Sequence, residues 1–118
     1  MNLTGQQIYD LLNQQYAPYQ PYDRMLQVSG LTYTWDANLA DSDRIVEVRK
    51  DGAAIDRNAI YTVTVNSFLA EGGDNFTTLI DGVDRQVGPI DLDALIDYIQ
   101  NLDQPFDSEI EGRIERLN

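Results

Sequence analysis

The chain has 118 residues and a net charge of −12, from 20 acidic and eight basic side chains. This length fits one domain, residues 1–118, with its own core. A surface this acidic repels polyphosphate backbones, which argues against nucleic-acid binding. Because the chain contains no cysteine and no histidine, it cannot by itself build a disulfide framework, a zinc–thiolate site or a Ser-His-Asp triad. No apolar run approaches the roughly 18 to 20 residues of a membrane span.

The first predicted element is a helix that begins at Thr4. Thr4 and Gln7 fit a capping box, in which each side chain binds a backbone amide of the other residue. Apolar residues follow at helical spacing and predict one buried face: Ile8, Leu11, Leu12 and Tyr16. Two prolines bracket the irregular segment 17–23, before which the helix has to end.

Alternating apolar residues predict three strands in the middle of the chain, at 25–35, 45–49 and 60–65. Gly30 is expected to bend the first strand. Val46 and Val48 are expected on one face of the second strand. After that strand, Asp51 and Gly52 form a turn signal that predicts a hairpin.

A second helix is predicted at 89–102, with Asp91 as its N-cap. Its apolar residues recur at helical spacing and predict a buried stripe: Leu92, Leu95, Ile96, Ile99 and Leu102. A last short strand is predicted at 110–117, with Ile114 inside. Helices separated by runs of strands predict an α+β domain, with two main helices and a mixed β-sheet.

The segment 66–76 is the main candidate site. Gly72 and Gly73 permit positive φ and close backbone approach, which suit either an ordinary turn or a ligand loop. Asp74 could accept hydrogen bonds from a nucleobase or ribose, or cap the turn through its own backbone. Phe68 and Phe76 flank the loop, and either ring could belong to the core or form a stacking platform.

Two other clusters have simpler interpretations. Asp36, Asp41 and Asp43 do not match the spacing of an EF-hand loop, so a solvated loop is the better account than calcium binding. The tyrosines at 16, 19 and 22 predict an aromatic patch that packs beside the first helix or lines an interdomain surface.

Several ordered motifs resemble the C-terminal domain of the 5′-nucleotidase family, which includes UDP-sugar hydrolases and cyclic-nucleotide phosphodiesterases. The resemblance covers nearly the whole chain and rests on these segments: Leu3-Thr4-Gly5, Leu26-Gln27-Val28-Ser29-Gly30-Leu31, Tyr61-Thr62-Val63, Asn66 with Phe68-Leu69-Ala70 and Gly72-Gly73-Asp74, and Glu111-Gly112-Arg113-Ile114. One departure is Asn75, where the family pattern has glycine; asparagine also tolerates positive φ.

The resemblance implies a nucleoside- or nucleotide-recognition domain that is not catalytic alone. The base would stack on Phe68, with Asp74 as a polar partner and Asn66, Gly72 and Gly73 in the same loop. No cofactor is implied in this chain. Two divalent metal ions are implied in an N-terminal metallophosphoesterase domain of the same parent chain, which hydrolyses the phosphate ester. The parent would be extracellular, cell-wall-associated or periplasmic.

The family's second stacking phenylalanine and its substrate-binding arginines lie upstream of the helix motif at which this chain begins. The resemblance therefore implies a domain truncated at its N-terminal edge, with one wall of the pocket missing. The alternative hypothesis is a stand-alone module whose aromatic patch binds protein or glycan and which does not bind nucleotides.

Overall fold

A computed structural model of the protein describes residues 1–22 and 24–118. Its two main helices are α1 (Gly5–Asn13) and α3 (Asp91–Gln100), and α2 (Ser67–Ala70) is a single turn. The strands are β1 (Asn2–Thr4), β2 (Thr32–Trp35), β3 (Ile45–Lys50), β4 (Ala53–Ala54), β5 (Ile60–Thr62) and β6 (Ile114–Arg116). The α+β class and the two main helices are thereby confirmed.

The strands form two sheets. In the larger sheet the order is β4-β3-β2-β6, and β2 runs antiparallel to β3 but parallel to β6. Tyr33, at the centre of this sheet, lies between Val48 and Ile114. The smaller sheet pairs β1 with β5 in antiparallel register. The predicted mixed sheet is therefore present, and a second, two-stranded sheet accompanies it.

Helix α1 begins at the predicted capping box. The Gln7 amide donates to Thr4 Oγ1 at 3.1 Å, and the Thr4 amide donates to Gln7 Oε1 at 2.8 Å. The predicted apolar face is buried, and Tyr16, just beyond the helix, stacks on Trp35 with ring centroids 4.9 Å apart. The α-helix at Gly5–Asn13 and the 3-10 turn at Gln14–Tyr16 thus carry the buried face that the sequence predicts.

Gln15 is a fully buried polar residue that connects α1 to the larger sheet. Its Nε2 donates to the Leu12 carbonyl at 2.7 Å, while its Oε1 accepts from the Leu26 amide and, at 3.3 Å, from the Tyr33 hydroxyl. Burial raises the pKa of Tyr33 above its usual value, and the Gln15 hydrogen bond opposes this shift.

The strand predicted at 25–35 forms only over its last four residues. Gln15 accepts from the amide of Leu26, and Arg113 Nη1 donates to the Val28 carbonyl at 2.7 Å. Side chains therefore bind this part of the backbone where a strand neighbour would otherwise do so. The strand predicted at 60–65 is likewise shorter, because β5 ends at Thr62.

The prediction that Val46 and Val48 share a face is wrong. Val48 is buried, whereas Val46 is exposed. Trp35 pairs with Ile45 and Thr34 with Glu47, so Val46 is an extra residue in a β-bulge. The bulge shifts the alternation by one residue, and Ile45 takes the buried position instead. The hairpin at Asp51-Gly52 is confirmed, because β4 returns antiparallel to β3.

Helix α3 corrects two further predictions. Ile90, not Asp91, occupies the N-cap position, and its side chain makes no capping hydrogen bond. The stripe is not buried: Leu92, Leu95 and Ile96 are exposed, and its other two members are partly buried. No described element packs over this face closely enough to bury it. The last strand is confirmed, with Ile114 packed against the core from β6.

Candidate functional site

The candidate loop begins where the chain leaves β5 and enters α2. Asn66 is the N-cap of this turn, and its Oδ1 accepts from the Leu69 amide at 2.8 Å. The Asn66 side chain therefore stabilises the start of the loop as a helix cap. This geometry fixes the direction in which Phe68 leaves the backbone.

The two glycines allow close packing on both sides of the loop. Gly72 has φ +84°, in the left-handed region that favours glycine. A Cβ added to Gly73 would lie 2.6 Å from both Phe68 Cε1 and the Phe68 carbonyl oxygen. Gly73 is thus required for the Phe68 ring to lie against the loop backbone. The turn and the candidate platform are parts of one packed unit.

The two phenylalanines that flank the loop differ in solvent exposure. Phe76 is 1% exposed and belongs to the core, whereas Phe68 is 59% exposed. Burial would stabilise a phenylalanine side chain by roughly 1.5–3 kcal/mol, so an exposed ring gives up most of that gain. Phe68 therefore has the exposure that a stacking platform needs, and Phe76 does not.

Asp74 follows Gly73 and has an unusual backbone conformation. Asp74 has φ +55° and Asn75 has φ +62°, two successive non-glycine residues in the left-handed region. The carboxylate Oδ2 of Asp74 lies 2.8 Å from Arg24 Nη1. The Asp74 carbonyl accepts from Gln20 Nε2 at 2.9 Å. Asp74 is thus held through both its side chain and its backbone.

Two residues beside the loop, Arg24 and Gln20, were not predicted from the sequence. Both belong to the irregular, tyrosine- and proline-rich segment after α1, which has no periodicity to reveal an inward-facing side chain. Both residues lie far from Asp74 in the sequence: the hydrogen bond from Gln20 joins residues that are 54 positions apart. Such a pairing can be found only once the fold is known.

The other candidate clusters are explained by local contacts. Asp36 Oδ1 accepts from the Asn38 amide at 2.8 Å, and Asp41 pairs with Arg44 at 2.7 Å. Within residues 1–22 and 24–118, no three histidine, cysteine, aspartate or glutamate side chains converge as a metal site. Of the tyrosine patch, Tyr16 is buried, and Tyr19 and Tyr22 are exposed.

An open groove of about 320 Å³ lies beside α1, and none of the five predicted site residues lines it. The residues that line it include Asp10, Asp41 and the exposed Tyr19. None of the described helices combines the length and the hydrophobicity that a membrane crossing requires.

Comparisons with known proteins agree on one family. The family described as "5'-nucleotidase, C-terminal domain" matches residues 1–81. The crystal structure of a 5′-nucleotidase precursor from Thermus thermophilus superposes with a TM-score of 0.87 and 35% identity, covering 100% of this chain and 24% of that one.

Two bacterial relatives are not named as 5′-nucleotidases. Endonuclease YhcR of Bacillus subtilis is 32% identical over 98% of this chain and 9% of its own length. A cell wall protein of Listeria monocytogenes is 34% identical over 86% of this chain and 13% of its own length. The chain thus spans between 9% and 24% of the three proteins compared.

Proposed function

This chain belongs to the 5′-nucleotidase C-terminal domain family, and we propose that it recognises the nucleoside part of a nucleotide substrate. In this proposal the base stacks on the exposed face of Phe68, and Asp74 accepts hydrogen bonds from the nucleoside. The observation that carries the proposal is one exposed ring, 59% accessible, lying against Gly73 one residue from the Asp74 carboxylate.

Energetics support a stacking role for Phe68. A base stacked on an aromatic ring gains about 1–3 kcal/mol, regardless of which base it is. One ring and one carboxylate correspond to weak binding, with Kd near the millimolar range, since about 4 kcal/mol corresponds to 1 mM. Asn66 contributes as the cap of α2, Gly72 by its positive φ, and Gly73 by its close contact with the Phe68 ring.

The net charge of this chain favours base recognition here and phosphate binding in another domain of the parent. A chain of net charge −12 repels phosphate at long range, whereas a neutral base requires no basic surface. We therefore assign phosphate binding and hydrolysis to an N-terminal metallophosphoesterase domain of the parent, which would hold two divalent metal ions. Such a pair of ions stabilises both the attacking and the leaving oxygen of a phosphate ester. The present chain would supply substrate recognition only.

An NMR titration of the 118-residue chain with adenosine tests the recognition proposal. We expect amide shifts at Gly72, Gly73 and Asp74, and a loss of affinity of roughly 5- to 150-fold in Phe68→Ala, which corresponds to 1–3 kcal/mol. Phe106→Ala is the matched control, because Phe106 is 48% exposed in the C-terminal part of the chain. Equal binding by wild type and Phe68→Ala would refute the stacking role.

A turnover assay tests the assignment of catalysis to the parent. The purified chain with AMP and added divalent metal should release no phosphate. Turnover that Asp74→Ala abolishes would show that catalysis belongs to this chain and would overturn the assignment.

A second candidate function is an interaction module that binds protein or glycan. It is supported by the exposed tyrosines, Tyr19 at 55% and Tyr22 at 64%. In that case oligosaccharide, not adenosine, would shift the tyrosine resonances, and Phe68→Ala would leave the shifts unchanged.

We propose an extracellular, cell-wall or periplasmic location for the parent. Support comes from the Listeria relative, named a cell wall protein, and from the Thermus structure, titled a precursor. Fractionation of cells that express the parent, with immunoblotting for this domain, tests the location. Recovery in the cytoplasmic fraction would contradict it.

A further inference from the structure

Asp74 is held from outside its own loop by two side chains, Gln20 and Arg24, which we call the Asp74 clamp. Arg24 Nη1 lies 2.8 Å from Asp74 Oδ2, in an ion pair whose side chains are 24% and 36% exposed. Gln20 Nε2 donates both to the Asp74 carbonyl at 2.9 Å and to the Gln14 carbonyl at 3.2 Å. The clamp therefore links the candidate loop to the end of the first helix.

The backbone at this point needs such support. Asp74 and Asn75 are successive residues with positive φ, a conformation that non-glycine residues rarely adopt. Sparsely populated backbone conformations persist only when the surrounding structure fixes them, and they are concentrated at ligand-binding sites. The loop's own hydrogen bonds do not include the Asp74 carboxylate. Its orientation depends on Arg24.

Arg24 is itself oriented. Its guanidinium carbon lies 4.7 Å from the centroid of the Tyr22 ring, a cation–π geometry. Two polar atoms of the clamp, Arg24 Nε and Gln20 Oε1, are buried with no hydrogen-bond partner among the described residues. Native proteins leave few buried polar atoms unpaired, and those that occur call for an explanation such as a bound polar group. Within the part of the chain that the structure describes, one donor and one acceptor of the clamp are thus unsatisfied.

We propose that Arg24 is a positioning residue for nucleoside recognition, which acts by holding the Asp74 carboxylate and its backbone in the binding geometry. This inference rests on the proposed function and deepens it. Arg24 supplies no contact with the stacked base in this account. Without Arg24 the loop would occupy the binding geometry for only part of the time, and the apparent Kd rises in inverse proportion to that fraction.

Adenosine titrations of three variants, compared with wild type, test the mechanism. Arg24→Gln should raise the Kd about five- to tenfold, as expected if the loop is binding-competent for 10–20% of the time, and Arg24→Lys should recover part of the loss. The matched control is Arg44→Gln. Arg44 pairs with Asp41 at 2.7 Å, is 21% exposed and lies over the Tyr16 ring, but does not contact the loop. Its Kd should equal that of wild type.

A double-mutant cycle separates positioning from a general structural role. If Arg24 acts through Asp74, then Arg24→Gln in an Asp74→Asn background should cause no further loss of affinity. Additive losses would overturn the proposal, because Arg24 would then act by another route. A loss in Arg44→Gln equal to that in Arg24→Gln would also overturn it.

A ligand-free measurement keeps this inference distinct from the proposed function. Amide hydrogen exchange at residues 72–76 should be faster in Arg24→Gln than in wild type or Arg44→Gln, because the loop opens more often. Unchanged exchange refutes the clamp whether or not adenosine binds. Faster exchange together with no adenosine-induced shift in wild type would support the clamp while refuting the proposed function.

Discussion

Residues 1–81 and residues 82–118 follow the same sequence rules but differ in burial. Among the described residues, every buried apolar side chain lies between Leu3 and Leu79. Beyond that point the large apolar residues are exposed or only partly buried, including most of the stripe of α3. The family match also ends at residue 81. Periodicity thus predicts which residues of a helix share a face, but not whether a surface exists to cover that face.

The two regions also differ in how their helices begin. Helix α1 has a complete capping box and a buried face, whereas α3 has an isoleucine at its N-cap and acidic residues in its first turn. An isolated helix shorter than about 12–15 residues is marginal in water, so most helix stability in proteins comes from packing. We therefore expect α3 to be the less stable of the two helices.

The largest effect should come from paired leucine truncations. Leu79 is 0% exposed, so Leu79→Ala should lower the free energy of unfolding by about 2–5 kcal/mol, the usual range for a buried leucine. Leu95 is 53% exposed, and Leu95→Ala should change the free energy of unfolding by less than about 0.5 kcal/mol. Urea denaturation of both variants measures the difference. Similar losses would show that α3 is covered in solution and that the two regions do not differ in burial.

Replacing each of two glycines by alanine should give the next largest difference in stability. Gly73→Ala places a Cβ 2.6 Å from Phe68 and should destabilise by about 1–3 kcal/mol, while shifting the resonances of the Phe68 ring. A Cβ at Gly88 meets nothing within 4 Å, and Gly88→Ala should change stability by less than about 1 kcal/mol. An unmoved Phe68 ring in Gly73→Ala would argue against the packed loop described above.

Substitutions at the two helix caps should change stability in opposite directions. Thr4→Ala removes the capping box of α1 and should cost about 1 kcal/mol of stability. Ile90→Ser supplies the cap that α3 lacks and should raise its helix content, with a gain of up to about 1 kcal/mol. Circular dichroism and urea denaturation measure both effects. A fall in helix content in Ile90→Ser would contradict the assignment of the α3 start.

The smallest effect concerns alkaline pH. Burial raises the pKa of Tyr33 in the folded chain. Above about pH 10 the unfolded chain loses this proton first, so it binds fewer protons and stability falls with rising pH. Tyr33→Phe should lower stability at neutral pH by about 1 kcal/mol and make the alkaline decline shallower. Urea midpoints between neutral pH and about pH 11 measure the slope, and an unchanged slope would exclude Tyr33 as its source.

Local signals were enough to predict much of the first region. The capping box at Thr4, the spacing from Ile8 to Tyr16 and the Asp51-Gly52 turn each act within a few residues, and each is confirmed. The α+β class followed from the order of such elements. The family resemblance indicated the loop at 66–74 as a candidate site, and the role of this loop in binding stays a prediction.

Non-local contacts account for what the sequence did not predict. The bulge at Val46 depends on how β3 pairs with β2, and the loss of strand at 25–28 depends on Gln15 and Arg113. The Arg24–Asp74 pair joins two irregular segments far apart in the chain. None of these contacts leaves a periodic signature, because each is decided by the fold as a whole.

The parallel pairing of β6 with β2 has a consequence for α3. Val83 bridges to Asn2 at one end of the intervening segment, and Ile114 pairs with Tyr33 at the other. The apolar face of α3 is therefore carried on a loop anchored at both ends. In the longer parent that we propose, a surface of another domain would meet this face as an intramolecular partner, at an effective concentration that can reach the millimolar range. Even a weak contact would then suffice to keep the face covered.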